Sequence, residues 1–177
     1  ARIKRRIFEQ STIGAIYTRR ATSPDPSGFA VVDRHTAGLD LAFTTRNFAG
    51  NSNMEAEAFV IWNSNPDPTQ DRALKELSAH GLRLNFPNDT WSGHLSYRQF
   101  GNAYRPSLGF VTRNDFRRVE PRIGWSPRPN IDWLRTIRFS AQFRHQEELG
   151  TGITEEREWD FGLLGLDFES GDGFDFN

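Results

Sequence analysis

Apolar and polar residues alternate along most of this chain. In residues 137–146, IRFSAQFRHQ, Ile137, Phe139, Ala141 and Phe143 share one side of a two-residue period, and Arg138, Ser140, Gln142 and Arg144 share the other. Successive side chains of a strand point to opposite faces, so this segment separates an apolar medium from a wet one. Other segments repeat the pattern. Residues 11–20 place Ile13, Ala15 and Tyr17 in phase, and residues 37–46 set Leu39, Leu41 and Phe43 against Asp40, Ala42 and Thr44. Residues 53–62 set Met54, Ala56, Ala58, Val60 and Trp62 against Glu55 and Glu57. Residues 79–86 set His80, Leu82, Leu84 and Phe86 against Gly81, Arg83 and Asn85. Residues 91–100 set Trp91, Gly93, Leu95 and Tyr97 against Ser92, His94, Ser96 and Arg98. Residues 117–125 set Val119, Ile123 and Trp125 against Arg118, Glu120 and Arg122. There Pro121, which cannot donate to a ladder, predicts a bulge or an edge. In the last segment, residues 157–169, adjacent Leu163 and Leu164 break the phase and leave its faces unassigned. Helical patterning is nearly absent; residues 71–78, DRALKELS, could make one or two helical turns inside a loop.

The connections between segments alternate in length. Long stretches carry ATSPDPSG, NSNPDPTQDRALKELS and GNAYRPSLGFVTRND; the ones between them, NFAGNS, PNDT and SPRPNIDWLR, are shorter, QEELGTGI is intermediate and SGDG is short. In an up-and-down meander alternate connections lie at the same end of the sheet, so one end is trimmed and the other elaborated. Transmembrane barrels are built this way. The segments run about nine to eleven residues, enough to cross a bilayer at a tilt of about 45°, whereas strands of soluble domains have a mode of about 5–6. Trp62, Phe86, Trp91, Trp125, Trp133 and Trp159 sit near segment ends, as interfacial girdles require. The expected fold is all-β: an antiparallel up-and-down meander of about eight to nine strands, forming a transmembrane β-barrel or an arc of a larger one. Residues 1–177 read as one partial barrel domain, because GDGFDFN at the C-terminus looks like a turn entering a further strand.

Composition narrows the alternatives. Hydrophobic residues make up 36% and mean hydropathy is −0.65, and no stretch approaches the ~20 apolar residues of a spanning helix. Aromatics nonetheless reach 13%. Low hydropathy with many aromatics fits a transmembrane barrel or a soluble antiparallel β domain. A net charge of −1 without a basic stripe gives no nucleic-acid footprint. The absence of cysteine removes disulfides, thiolate metal sites and thiol nucleophiles.

If the apolar phase meets lipid, the lipid-facing residues are Leu39, Leu41, Phe43, Leu82, Leu84, Leu95, Tyr97, Ile137, Phe139 and Phe143. The polar phase then lines a lumen: Glu55, Glu57, Arg83, His94, Arg98, Arg118, Glu120, Arg122, Arg138, Gln142 and Arg144. Rings of charge in a lumen set conductance and selectivity. Among these residues the surplus is cationic and favours anionic solutes. Equally, Arg–Glu pairs bridging adjacent strands could fill the lumen as a plug. On a soluble domain the same residues are a solvated face, and the aromatics would offer a carbohydrate-binding surface.

The opening ARIKRRIFEQSTIGAIYTRR and the later LGFVTRNDFRRVEPRIGWSPRP resemble a bacterial outer-membrane β-barrel domain of unknown function. That domain follows a carbohydrate-binding, family-nine-like module in predicted outer-membrane proteins. The resemblance covers essentially all of this chain but only the first part of that family's barrel. It implies an outer-membrane location and more strands than are present here. It also implies a link to carbohydrate through the neighbouring module, which this sequence does not contain. It carries over no catalytic residues.

Candidate chemistry is sparse. His35, His80, His94 and His145 are scattered without ligand spacing, so no metal or other cofactor is expected. Asp172 and Asp175 in SGDGFD, and the acidic NSNPDPTQD, supply oxygens for Ca²⁺, but a tight turn and a proline-stiffened loop account for them more simply. No G-x-S-x-G or P-loop is present. The sequence therefore predicts a non-enzymatic outer-membrane barrel, serving as a pore or as the anchor of a carbohydrate-binding module. The alternative is a soluble antiparallel β domain that binds carbohydrate.

Overall fold

In a computed structural model, residues 1–21, 33–65, 69–108 and 111–177 are described. The proline-rich stretches 23–28 and 66–68 fall outside them. The described residues form ten strands: β1 (Arg2–Ile7), β2 (Ser11–Ala21), β3 (Asp33–Phe48), β4 (Ser52–Asn63), β5 (Ser78–Pro87), β6 (Trp91–Phe100), β7 (Phe116–Trp125), β8 (Leu134–Glu148), β9 (Thr154–Phe168) and β10 (Gly173–Phe176). Each pairs antiparallel with the next, in a single sheet ordered β1 to β10. The sheet is an all-β meander, open at β1 and β10 and not closed into a barrel. The first strand was not anticipated, although Ile3, Arg5 and Ile7 already alternate with Arg2, Lys4 and Arg6. Residues 71–78 contain no helix: successive bonds from Glu76 N to Ala73 O and from Leu77 N to Leu74 O close turns, and β5 starts directly after them.

Register settles the two ambiguous segments. Pro121 causes neither a bulge nor an edge. The β7–β8 ladder lapses at Glu120 and Pro121 but resumes in the same register, Val119 opposite His145 and Arg122 opposite Gln142. The missing proline N–H thus costs a rung without shifting the strand. The phase break in β9 is a true bulge: Arg138 faces Gly165 while Ser140 faces Gly162. Leu163 and Leu164 share one opposing position. An extra residue on one strand restores its apolar phase beyond the bulge, so Trp159 and Phe161 before it and Leu164 and Leu166 after it lie on the same face.

Connections 49–51 and 88–90 are tight turns at one end, and 64–77 and 101–115 are long at the other. The alternation fails further along, where 126–133 at the turn end is longer than 149–153 at the loop end. The first three residues of QEELGTGI, Gln146, Glu147 and Glu148, belong to β8, and β8 and β9 run 15 residues each. Sequence length between apolar segments misjudges a loop when polar residues continue a strand past its apolar part.

The buried core is small: Leu77, Ala79, Ala103, Tyr104 and Leu134. Its main part lies beneath the 101–115 connection, which crosses one face of the sheet. Ser107 N donates to Thr36 Oγ1 on β3 at 2.7 Å, and Ser107 Oγ lies 2.7 Å from Thr18 Oγ1 on β2. Arg105 N donates to Asn63 Oδ1 on β4 at 2.9 Å. The ring of Tyr104 meets Phe100 edge-on at 5.8 Å, and Phe100 stacks on Phe116 at 5.1 Å. A connection leaving β6 therefore spans back to β2.

Candidate functional site: the charged face of the sheet

Side chains of residues paired across a ladder point to the same face, so the register assigns every strand. Leu39, Leu41, Phe43, Leu82, Leu84, Leu95, Tyr97, Ile137, Phe139 and Phe143 all lie on one face. Glu55, Glu57, Arg83, His94, Arg98, Arg118, Glu120, Arg122, Arg138, Gln142 and Arg144 all lie on the other.

On the charged face the residues form cross-strand networks. Arg98 and Arg118 stand directly opposite each other on β6 and β7. Like charges in that position repel. Glu120 resolves this by accepting 2.9 Å hydrogen bonds from both guanidinium groups. It accepts a third from Arg144 Nε at 3.2 Å. Arg144 continues to Glu156 at 3.3 Å and Glu158 at 2.5 Å on β9, and Arg118 lies 3.5 Å from Glu156. Four strands are thus tied through one carboxylate and its arginines. A second set joins Arg138 to Asp167 at 3.1 Å and to Asp175 at 3.0 Å, linking β8, β9 and β10. A third joins Arg83 to Glu57 at 3.3 Å, with Asn85 donating to Glu55 at 3.4 Å and lying 2.5 Å from His94 Nδ1.

The cationic surplus expected from the sequence narrows, although Arg2, Lys4, Arg6, Arg20 and Arg34 also lie on this face. Glu156, Glu158 and Asp160 share it, placed by their partners Gln146, Arg144 and Gln142, and Asp40, Asp167 and Asp175 join them. The β9 acids were missed because the phase of that strand was unreadable without its bulge. Of the arginines expected on this face, Arg122 has no acidic partner among the described residues; its cross-strand neighbours are His94 and Gln142.

Toward the loop end the same face turns apolar. Ile16, Ile61, Ala79, Phe100 and Phe116 point to it, and the 101–115 connection lies over them. The signal was present in the sequence: Ala58–Trp62 is a continuous apolar run rather than an alternating one, and continuous runs mark strands covered on both faces. Burial raises the Tyr104 phenol above its ordinary value, so the hydroxyl stays protonated at neutral pH.

The opposite face carries no cover among the described residues. Its aromatics form two rows. Toward the turn end Trp91, Trp125 and Phe139 stack in succession at 5.7 and 5.3 Å, beside the Phe48–Phe86 and Phe8–Phe43 pairs. Toward the loop end Phe143 meets Trp159 at 4.4 Å, and Tyr17 packs beside His35. Leu39, Leu41, Leu82, Leu84 and Leu95 lie between the rows.

The apolar band also drifts across the ladder. The rung Ala15–Leu39–Val60–His80–Gln99–Arg117–Glu147 is apolar on β2 to β4 and polar on β6 to β8. The rung Trp91–Trp125–Phe139 lies nearer the turn end, and there β6 to β8 are aromatic. An apolar band running obliquely to the rungs means strands tilted relative to the band.

No group of three or more metal-ligating side chains occurs among the described residues. No helix among them is long and apolar enough to cross a membrane, which leaves crossing by strands untouched. Comparison with protein families, with curated proteins and with solved structures finds no match.

Proposed function

We propose that this chain is part of the wall of a bacterial outer-membrane β-barrel, without enzymatic activity. Its leucine and aromatic face meets lipid, and its arginine–glutamate face meets the aqueous interior. The observation that carries this reading is the uncovered apolar face spanning the sheet, bounded by two aromatic rows and oblique to the rungs. Trp159 is 58% exposed, Ile123 53% and Leu39 49%, and each fully buried side chain of this kind is worth about 1.5–3 kcal/mol. A face that large remains in water only at high cost, and contiguous exposed apolar patches mark interaction or membrane sites. Tilted, staggered strands are the condition for curling a sheet into a barrel, and aromatic girdles flank the apolar band of outer-membrane barrels. Pairing of most charges on the other face favours a braced wall, suited to anchoring a carbohydrate-binding module, over a freely conducting channel.

The test exploits the lack of cysteine. Leu82→Cys and Arg83→Cys, adjacent on β5, are compared after reconstitution into lipid vesicles with a membrane-impermeant maleimide. Arg83→Cys is expected to react and Leu82→Cys to be protected until detergent is added. Equal labelling at both positions, in a protein that purifies as a detergent-free monomer, overturns the proposal in favour of a soluble domain.

A further inference from the structure

One pair of arginines on the charged face repeats the Arg98–Arg118 arrangement without its carboxylate. Arg20 on β2 stands directly opposite Arg34 on β3. Both point to the charged face, because Thr18 and Thr36, two residues away toward the sheet centre, hold Ser107 of the connection crossing it. Two guanidinium groups facing each other across an antiparallel pair repel. At Arg98 and Arg118 the chain answers with Glu120, placed 2.9 Å from each. On the opposite face at the same end, Arg19 is held by Asp33 through its Nε and Nη2. Arg20 and Arg34 have no acidic partner among the described residues, and Arg105, exposed on the crossing connection, has none either.

We infer that Arg20 and Arg34 form an oxyanion-binding site at the loop end of the charged face, receiving a phosphate or carboxylate where Glu120 sits in the internal counterpart. The planar guanidinium fork matches both anions through paired hydrogen bonds. Two forks on adjacent strands converge on one anion as Arg98 and Arg118 converge on Glu120. A bound anion removes the cross-strand repulsion, so binding and local stability are linked. The site stands whichever medium covers the apolar face, so its failure and that of the membrane reading are separable.

The test uses the full chain in detergent micelles, titrated with inorganic phosphate and, separately, with acetate, against chloride at matched ionic strength. Arginine Nε–Hε resonances and thermal midpoint are read together. A saturable shift at Arg20 and Arg34 with phosphate, absent with chloride and lost in R20Q/R34Q, supports the site. A matching response to acetate makes it a general oxyanion site, and its absence narrows the ligand to phosphoryl groups. R34E supplies the missing carboxylate, so it is expected to raise the midpoint without added anion and to abolish the phosphate response. The inference is overturned if the response tracks ionic strength alone, if it survives in R20Q/R34Q, or if R34E lowers the midpoint and leaves the phosphate response intact.

Discussion

The two faces of this sheet are stabilised in opposite ways. On the charged face most groups depend on named partners: Glu120 on Arg98, Arg118 and Arg144, and Arg138 on Asp167 and Asp175. On the apolar face Leu39, Leu41, Leu82 and Leu84 are interchangeable in kind, and what they require is an apolar neighbour that the described chain does not supply. One face is completed largely internally, by geometry; the other, in the proposed barrel wall, would be completed externally, by lipid. Substitutions on the first should depend on which partner is lost. Substitutions on the second should depend on how deep the residue sits in the apolar band.

The largest expected effect breaks this contrast at two adjacent residues. Leu82→Arg puts a charge in the middle of the apolar band, and in a lipid-embedded wall this costs about 2–4 kcal/mol. Arg83→Leu removes an exposed pair with Glu57, whose side chains are 54% and 61% exposed, and costs about 0–1 kcal/mol. Urea unfolding from lipid vesicles measures both. If Leu82→Arg proves as mild as Arg83→Leu, position on the face does not decide the cost, and the apolar face is not lipid-exposed.

Glu120→Ala sharpens the other half of the contrast. Its carboxylate is mostly shielded, at 17% exposure, and its removal leaves Arg98 and Arg118 opposed with nothing between them. The expected loss is about 1–3 kcal/mol, the cost of stranding hydrogen-bonded polar groups. Phosphate in the buffer should recover part of it, because the variant recreates at Arg98 and Arg118 the arrangement found at Arg20 and Arg34. Equilibrium unfolding with and without phosphate reads both effects.

Period-two alternation made the meander and both faces legible, because side-chain direction in a strand follows from residue parity alone. It failed wherever a third body intervened. The bulge at Leu163–Leu164 reversed parity and concealed Glu156, Glu158 and Asp160, and so enlarged the apparent cationic surplus. The connection over Ile61, Ala79 and Phe100 made both faces of those strands apolar, which alternation reads as a blurred phase rather than as a covered surface. The partners of Glu120 depend on register between strands, which no single-strand pattern contains. The strand β1 is not legible by alternation because Arg5 stands in phase between Ile3 and Ile7 and interrupts its apolar side.

The crossing connection is where the two regimes meet, since it buries apolar side chains on the otherwise charged face. Thr36→Val keeps the shape of that contact but removes the acceptor of Ser107 N. The buried N–H is left unpaired at a cost of about 1 kcal/mol. That energy is local, so the expected result is faster proteolysis within 101–115 with little change in the unfolding of β7 to β9. A uniform loss across all strands would instead mean that the connection braces the whole sheet.

The smallest effect is conditional on pH. Burial raises the Tyr104 phenol, so its contribution is complete below the ordinary phenol value and is lost as pH climbs through the raised one. The connection should therefore loosen only in alkali, first at Tyr104 and its contact with Phe100. Tyr104→Phe keeps the ring against Phe100 and removes the ionisable hydroxyl. It should match the parent at neutral pH within about 0.5 kcal/mol and resist proteolysis within 101–115 at alkaline pH, where the parent is cut. Equal alkaline cleavage of the two would place the sensitive group elsewhere and leave the ring contact, not the phenol, as what Tyr104 contributes to covering the charged face.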